Sequence, residues 1–174
     1  ATTPNLKKGY VGGGIGIAST IKNYSDIEGK VQYGINAGYL FGSNAGIAVT
    51  YMHTSYKVDI SEADVDLKTN AILAGPLFSV PFSKLECDIR PYLGFLFAKL
   101  NASSGGTSLD FKADNTIFVY GSGITLRWNV HKLISLSLNI DAVYHGSGIK
   151  FDELGLETEK LSTISMGIGL NFRF

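Results

Sequence analysis

Eight times along this chain apolar side chains alternate with small or polar ones. No other feature constrains the fold as tightly, because only an extended strand sends successive side chains to opposite faces. In the last segment Ile164, Met166, Ile168, Leu170, Phe172 and Phe174 share one face, and Thr163, Ser165, Gly167, Gly169, Asn171 and Arg173 share the other. The same period runs through 11–18, 31–41, 47–52, 65–73, 92–98, 117–128 and 134–145. The connections alternate as well. Gly42–Asn44, Val80–Asp88 and Asn129–Lys132 are short or modest, whereas Ile21–Gly29, Val58–Asp64, Asn101–Asn115 and Gly146–Lys160 are longer and more polar. Short turns on one rim and long loops on the other predict an all-β fold: one closed, antiparallel, up-and-down barrel of eight strands, a single domain over residues 1–174 with both termini on the turn side.

A soluble barrel would turn its apolar face inward, so the small face decides between water and lipid. Gly12, Gly14, Gly16, Gly34, Gly38, Gly94, Gly121, Gly123, Gly167 and Gly169 share faces with Asn, Ser, Thr, Arg and Asp, as suits a narrow polar interior. The opposite rows of Ile, Leu, Val and Phe would expose more contiguous apolar surface than a monomer tolerates in water. Aromatic residues gather towards the turn rim (Tyr39, Phe41, Phe78, Phe82, Trp128, Phe172, Phe174) and the loop rim (Tyr51, Tyr56, Tyr144), where a membrane barrel carries its girdles. A transmembrane barrel of a Gram-negative outer membrane is therefore expected, with the turns periplasmic and the loops extracellular.

Composition removes other classes. The chain is 45% hydrophobic and 17% charged, too apolar for disorder, and its 15 basic and 15 acidic residues show no cluster suited to a phosphate backbone, so nucleic acid is not expected as a partner. The longest apolar stretch, Ala71–Phe82, is interrupted by Gly75, Pro76 and Pro81 and is too short for a spanning helix. The N-terminus lacks the basic and apolar regions of a signal peptide, so the chain reads as a mature one with the signal removed. A single cysteine, Cys87, precludes an intrachain disulfide; between Glu86 and Asp88 it is expected to be an incidental exposed thiol on a turn.

The terminal Gly167-Ile168-Gly169-Leu170-Asn171-Phe172-Arg173-Phe174 resembles the phenylalanine-ended signal read by the barrel assembly machinery. The Arg90-Pro91-Tyr92-Leu93-Gly94 and Gly121-Ser122-Gly123 segments resemble the OmpA/OmpX/NspA-like eight-stranded group. The resemblance implies an assembly signal at Phe172 and Phe174. It also implies outer-membrane lipid, lipopolysaccharide and the assembly machinery as partners, with envelope or host proteins meeting the loops. Those loops carry mixed charge, including Asp26, Glu28, Asp59, Glu62, Asp64, Asp110, Asp152, Glu153, Glu157 and Glu159 as well as Lys112 and Lys160, and acidic residues outnumber basic ones there.

Six charges, Asp66, Lys68, Arg90, Arg127, Asp141 and Arg173, fall on the face assigned to the interior. They are expected to fill the lumen as a paired network, since buried charges must be compensated. A narrow ion or small-solute conduit is the alternative. The run Gly12-Gly13-Gly14-Ile15-Gly16 lacks dinucleotide-loop spacing and a following helix, and His53, His131 and His145 lack metal-ligand spacing, so neither cofactor nor metal is expected. Tyr144-His145-Gly146-Ser147-Gly148 resembles the His-x-Ser core of lipid A deacylases, which would make His145 a general base, Ser147 a nucleophile and Asp152 or Glu153 an orienting carboxylate. Gly148 stands where that family has Asn, and His145 shares the inward parity of Asp141. The expected role is accordingly that of a non-enzymatic surface-interaction or structural barrel without a large open pore.

Overall fold

The computed structural model describes residues 8–20, 27–60, 63–104, 106–113, 115–157, 160 and 162–174. Its alternating segments form the wall strands β1 (Gly9–Thr20), β2 (Ile27–Leu40), β3 (Ala45–Ile60), β4 (Ala63–Phe82) and β5 (Leu85–Ser104). A short β6 (Thr107–Lys112) precedes the wall strands β7 (Ile117–Asn129) and β8 (Ile134–His145). The chain then makes a small hairpin of β9 (Lys150–Phe151) and β10 (Leu156–Glu157) around a single helical turn, and ends in wall strand β11 (Thr163–Arg173). Each of the eight wall strands pairs antiparallel with two neighbours: β1 with β2 and β11, β8 with β11 and β7, β5 with β7 and β4. The sheet is a closed eight-stranded barrel, and closure leaves no wall edge for hydrocarbon to strand without hydrogen bonds.

Three connections are shorter than the sequence pattern implies. β4 runs on to Phe82 and β5 starts at Leu85, so Val80–Asp88 is strand except for Ser83-Lys84, with Ser83 in the left-handed region at φ +60°. β3 and β4 extend past residue 58 to leave only 61–62 between them, and β6 pairs with the far half of β5 from Lys99 to Ser104. Long strands thus replace much of the expected loops at 58–64 and 101–115. Of the loop carboxylates, Asp26, Glu62 and Glu159 lie outside the described residues, as do the side chains of Glu28, Asp59 and Asp64.

Midway along the wall the outward face is apolar. Ile15, Ile17, Ile35, Leu93, Ile168 and Phe172 are each more than half exposed. Between the row of Phe82, Leu85 and Trp128 and the row of Ile72, Phe95 and Phe118 lie ten residue steps. At about 3.3 Å per step and a tilt near 40° this gives an apolar band roughly 25 Å tall, the hydrophobic span of an outer-membrane barrel. Aromatic pairs mark its loop-side border, with Phe95 edge-on to Phe118 at 6.2 Å and Tyr120 stacked on Tyr144 at 5.7 Å between ring centroids. Tyr56 does not belong to this girdle; it is buried inside the barrel.

The β1–β11 seam is tight. There Gly16 faces Gly167, and a Cβ built on Gly16 would strike the Met166 carbonyl oxygen and lie 2.6 Å from Gly167 Cα. Mid-wall, the β4–β5 ladder is interrupted between Ala74↔Leu93 and Phe78↔Ile89. Counting inward from these pairs puts Pro76 across from Pro91, two residues with no N–H to donate.

The interior is layered. Its loop half is an apolar core of Met52, Tyr56, Leu67, Leu73, Tyr92, Leu96, Ile117, Val119 and Val143, and a second cluster of Tyr10, Leu40, Ala48 and Leu77 lies towards the turns. This overturns the assignment of strand faces in β4: Val65, Leu67, Thr69, Ala71 and Leu73 point inward, and Asp66, Lys68 and Asn70 take the outward parity. A lumen this narrow must be filled, and apolar side chains fill it without needing partners.

Candidate functional site

The charged layer of the lumen is built from five wall strands. β5 contributes Glu86, Asp88 and Arg90, β7 Arg127, β8 Asp141, β11 Arg173 and β3 the Thr50 hydroxyl, each on the inward parity of its strand. Arg127 Nη2 lies 2.7 Å from Asp88 Oδ2 and 3.1 Å from Glu86 Oε2, and its guanidinium carbon sits 4.1 Å from the centre of the Tyr10 ring. Arg173 donates to Glu86 Oε1, which also accepts from Asn129 Nδ2 at 2.8 Å. Arg90 Nη2 lies 3.1 Å from Asp141 Oδ1 and Nη1 donates to Thr50 Oγ1 at 3.3 Å. The Tyr92 hydroxyl lies 3.4 Å from the same Asp141 oxygen, with the Ser122 and Ala142 carbonyls within 3.3 Å. Three arginines meet three carboxylates, all buried, so the layer carries no net charge. Neutrality matters because an uncompensated charge here would face low dielectric on every side.

Of the six charges singled out in the sequence, the structure brings together Arg90, Arg127, Asp141 and Arg173. Asp66 and Lys68 are a correction. They project from the outside of β4, where Lys68 Nζ lies 3.1 Å from the Asn101 side-chain amide. The other two anions of the layer are Glu86 and Asp88, which reading 80–88 as a connection concealed. The signal was present: Leu85, Cys87 and Ile89 alternate with Glu86, Asp88 and Arg90, the period of a strand. Cys87 likewise sits on β5 rather than on a turn, half-buried and outward between Val80 and Leu126.

Beside this layer is a cavity of about 50 Å³ bordered by Gly14, Gly16, Asn36, Thr50, Arg90 and Asp141, room for a few waters. On its loop side the lumen is stoppered. The β8–β11 connection folds back so that Ile149 and Phe151 are buried in the apolar core against Ile117, Val119 and Val143. Asn115, from the β6–β7 connection, fixes this fold-back with both ends of its amide: Nδ2 donates to the Gly148 carbonyl at 2.9 Å and Oδ1 accepts from Lys150 N–H at 2.8 Å. Gly146 N–H donates to the Phe118 carbonyl at 2.8 Å.

The residues of the deacylase alternative lie at the end of β8 and in the same fold-back. His145 ends β8 buried, with its Nδ1 lacking a hydrogen-bond partner among the described residues. Ser147 follows in the fold-back, and Glu153 is exposed on the helical turn. No hydrogen bond joins His145, Ser147 and Glu153 among the described residues.

At the other rim Phe172 and Phe174 point outward, and Phe174 completes the seam by exchanging two backbone hydrogen bonds with Gly9, at 2.9 and 3.0 Å.

This architecture has counterparts among solved structures. The attachment invasion locus protein Ail of Yersinia pestis is 20% identical, with a TM-score of 0.62 over 97% of this chain and 99% of that one. Neisserial surface protein A is 16% identical, with a TM-score of 0.65 over 95% and 97%. Ail has also been solved in complex with the heparin analogue sucrose octasulfate, at 20% identity and a TM-score of 0.58 over the same shares of the chains. At these identities the likeness is one of fold. No curated protein matches the sequence. The family described as outer membrane protein beta-barrel domain matches residues 2–174, and the chain belongs to it: this is a small β-barrel of the bacterial outer membrane.

Proposed function

We propose that this barrel is a closed scaffold that presents its extracellular loops to envelope or host partners, and that it neither conducts through its lumen nor modifies lipid. The carrying observation is the stoppered interior: an apolar core capped by Ile149 and Phe151 stands above a charge-neutral layer of six ionised side chains. A conduit needs charges that face an aqueous path, and these face one another. Loops held on a rigid wall are where recognition concentrates, and the heparin-analogue complex of Ail supports a binding role for a barrel of this fold. In planar bilayers the protein is expected to give no steady open-channel current. A large, long-lived current would overturn the proposal.

Phe172 and Phe174 are proposed to act in assembly. Phe174 adds one exposed ring to the wall, so its deletion should change folding in detergent little while strongly lowering the amount of barrel in the outer membrane of cells. Normal surface levels of the deletion variant would refute this role.

A further inference from the structure

The outward face of the loop-side wall carries a row of cations that the lumen network does not use. Strand register places Lys68 of β4 directly opposite Lys99 of β5, and Lys99 directly opposite Lys112 of β6. Their orientation is fixed by their neighbours: Leu67 is buried in the core, Leu100 and Phe111 pack against it, and the alternating lysines must therefore face away from the barrel. Like charges on directly opposed cross-strand positions repel. No carboxylate lies within 4 Å of any of the three amines among the described residues. The next row towards the loops holds Lys57, Asp66, Asn101 and Asp110, so among the described residues these two rows set four cations against two carboxylates.

The height of this row identifies what neutralises it. One row below stand Asn70 and Phe97, and two rows below are Ile72, Phe95 and Phe118, the upper limit of the apolar band. The lysines are four residue steps above that limit, about 10 Å along the membrane normal at 3.3 Å per step and 40° tilt. That is the headgroup layer of the outer leaflet, and lysine stems are long enough to lie along the wall while the amines meet headgroups. We infer that Lys68, Lys99 and Lys112 form a binding site for the phosphate groups of a phosphorylated outer-leaflet glycolipid, a lipid A-type headgroup whose acyl chains lie against Ile72, Phe95 and Phe118. The inference concerns the wall, so it stands or falls apart from the closed-scaffold reading of the lumen and loops.

The test is a titration of the barrel, refolded in neutral maltoside detergent, with bis-phosphorylated lipid A and with dephosphorylated lipid A of the same acyl chains, read by native mass spectrometry. The wild type should bind the bis-phosphorylated lipid at least tenfold more tightly, and added salt should narrow that gap. K68Q/K99Q/K112Q should erase the difference, K68R/K99R/K112R should keep it, and K99Q alone should lower it several-fold. A retained gel shift between unboiled and boiled samples shows that each variant is folded. Equal affinity of the wild type for both lipids, a result that needs no variant, overturns the inference. So does a folded triple-glutamine variant that still prefers the phosphorylated lipid.

Discussion

Replacing Arg127 by Met is expected to lower the stability of the barrel by about 3–5 kcal/mol, the cost of leaving a buried charge without its partner. Arg127 is the shared cation of Asp88 and Glu86, and its loss takes from Asp88 the cation paired with it while Glu86 keeps Arg173 and Asn129. The readout is the urea midpoint for unfolding from detergent or vesicles. The explanation makes a second demand. Adding Asp88→Asn to Arg127→Met should recover much of the loss, because it restores neutrality and keeps Glu86 paired with Arg173, the penalty coming from unbalanced charge rather than from lost contact area. If the single variant unfolds at the wild-type midpoint, or the double variant is weaker still, the neutral-layer account of the lumen is wrong.

A larger effect is expected at the seam. Gly16→Val should prevent closure, since its Cβ would meet the Met166 carbonyl and the Gly167 Cα, both backbone. Overpacking against side chains costs roughly 1–3 kcal/mol because they can turn aside. Here β1 and β11 must separate, and every hydrogen bond surrendered in lipid carries its own cost. Unboiled Gly16→Val protein should therefore run on a gel at the position of boiled protein. Gly13→Ala is the control: Gly13 points outward, its nearest added contact would be 3.5 Å away, and it should fold like the wild type. A compact, heat-shifted band from Gly16→Val would show that the seam is looser than the structure indicates.

The barrel itself was legible because the lipid-facing rows are uninterrupted: 164–174 and 134–144 place a large apolar residue at nearly every second position, and lipid imposes that rule along the whole wall. The inside obeys a weaker rule. Lumen residues need only fill space and balance charge, so their polarity varies with height. Leu67 and Leu73 are inside β4 for the same reason that Glu86 and Asp88 are inside β5: each fits what stands across from it. Assigning polar side chains to the interior throughout therefore reversed Asp66 and Lys68, whereas following the outward row continuously from Ile72 up the strand would have placed them correctly. The turn at Ser83-Lys84 was hidden because it has neither Gly nor Asn, although its first residue has a positive φ. The fold-back of Ile149 and Phe151 depends on Asn115, more than thirty residues away in the chain, and no local period reports a contact of that kind.

That one amide has a consequence for how a partner would meet the surface. Because Asn115 grips the backbone on both sides of Ile149, the β6–β7 and β8–β11 connections are tied to each other and to the wall beneath. A ligand touching Asn115 or the backbone from Gly148 to Lys150 meets groups whose freedom has already been surrendered on folding, so little ordering entropy remains to be lost there when the complex forms. Contacts on these tied residues would translate into affinity more completely than equal contacts on independently moving segments.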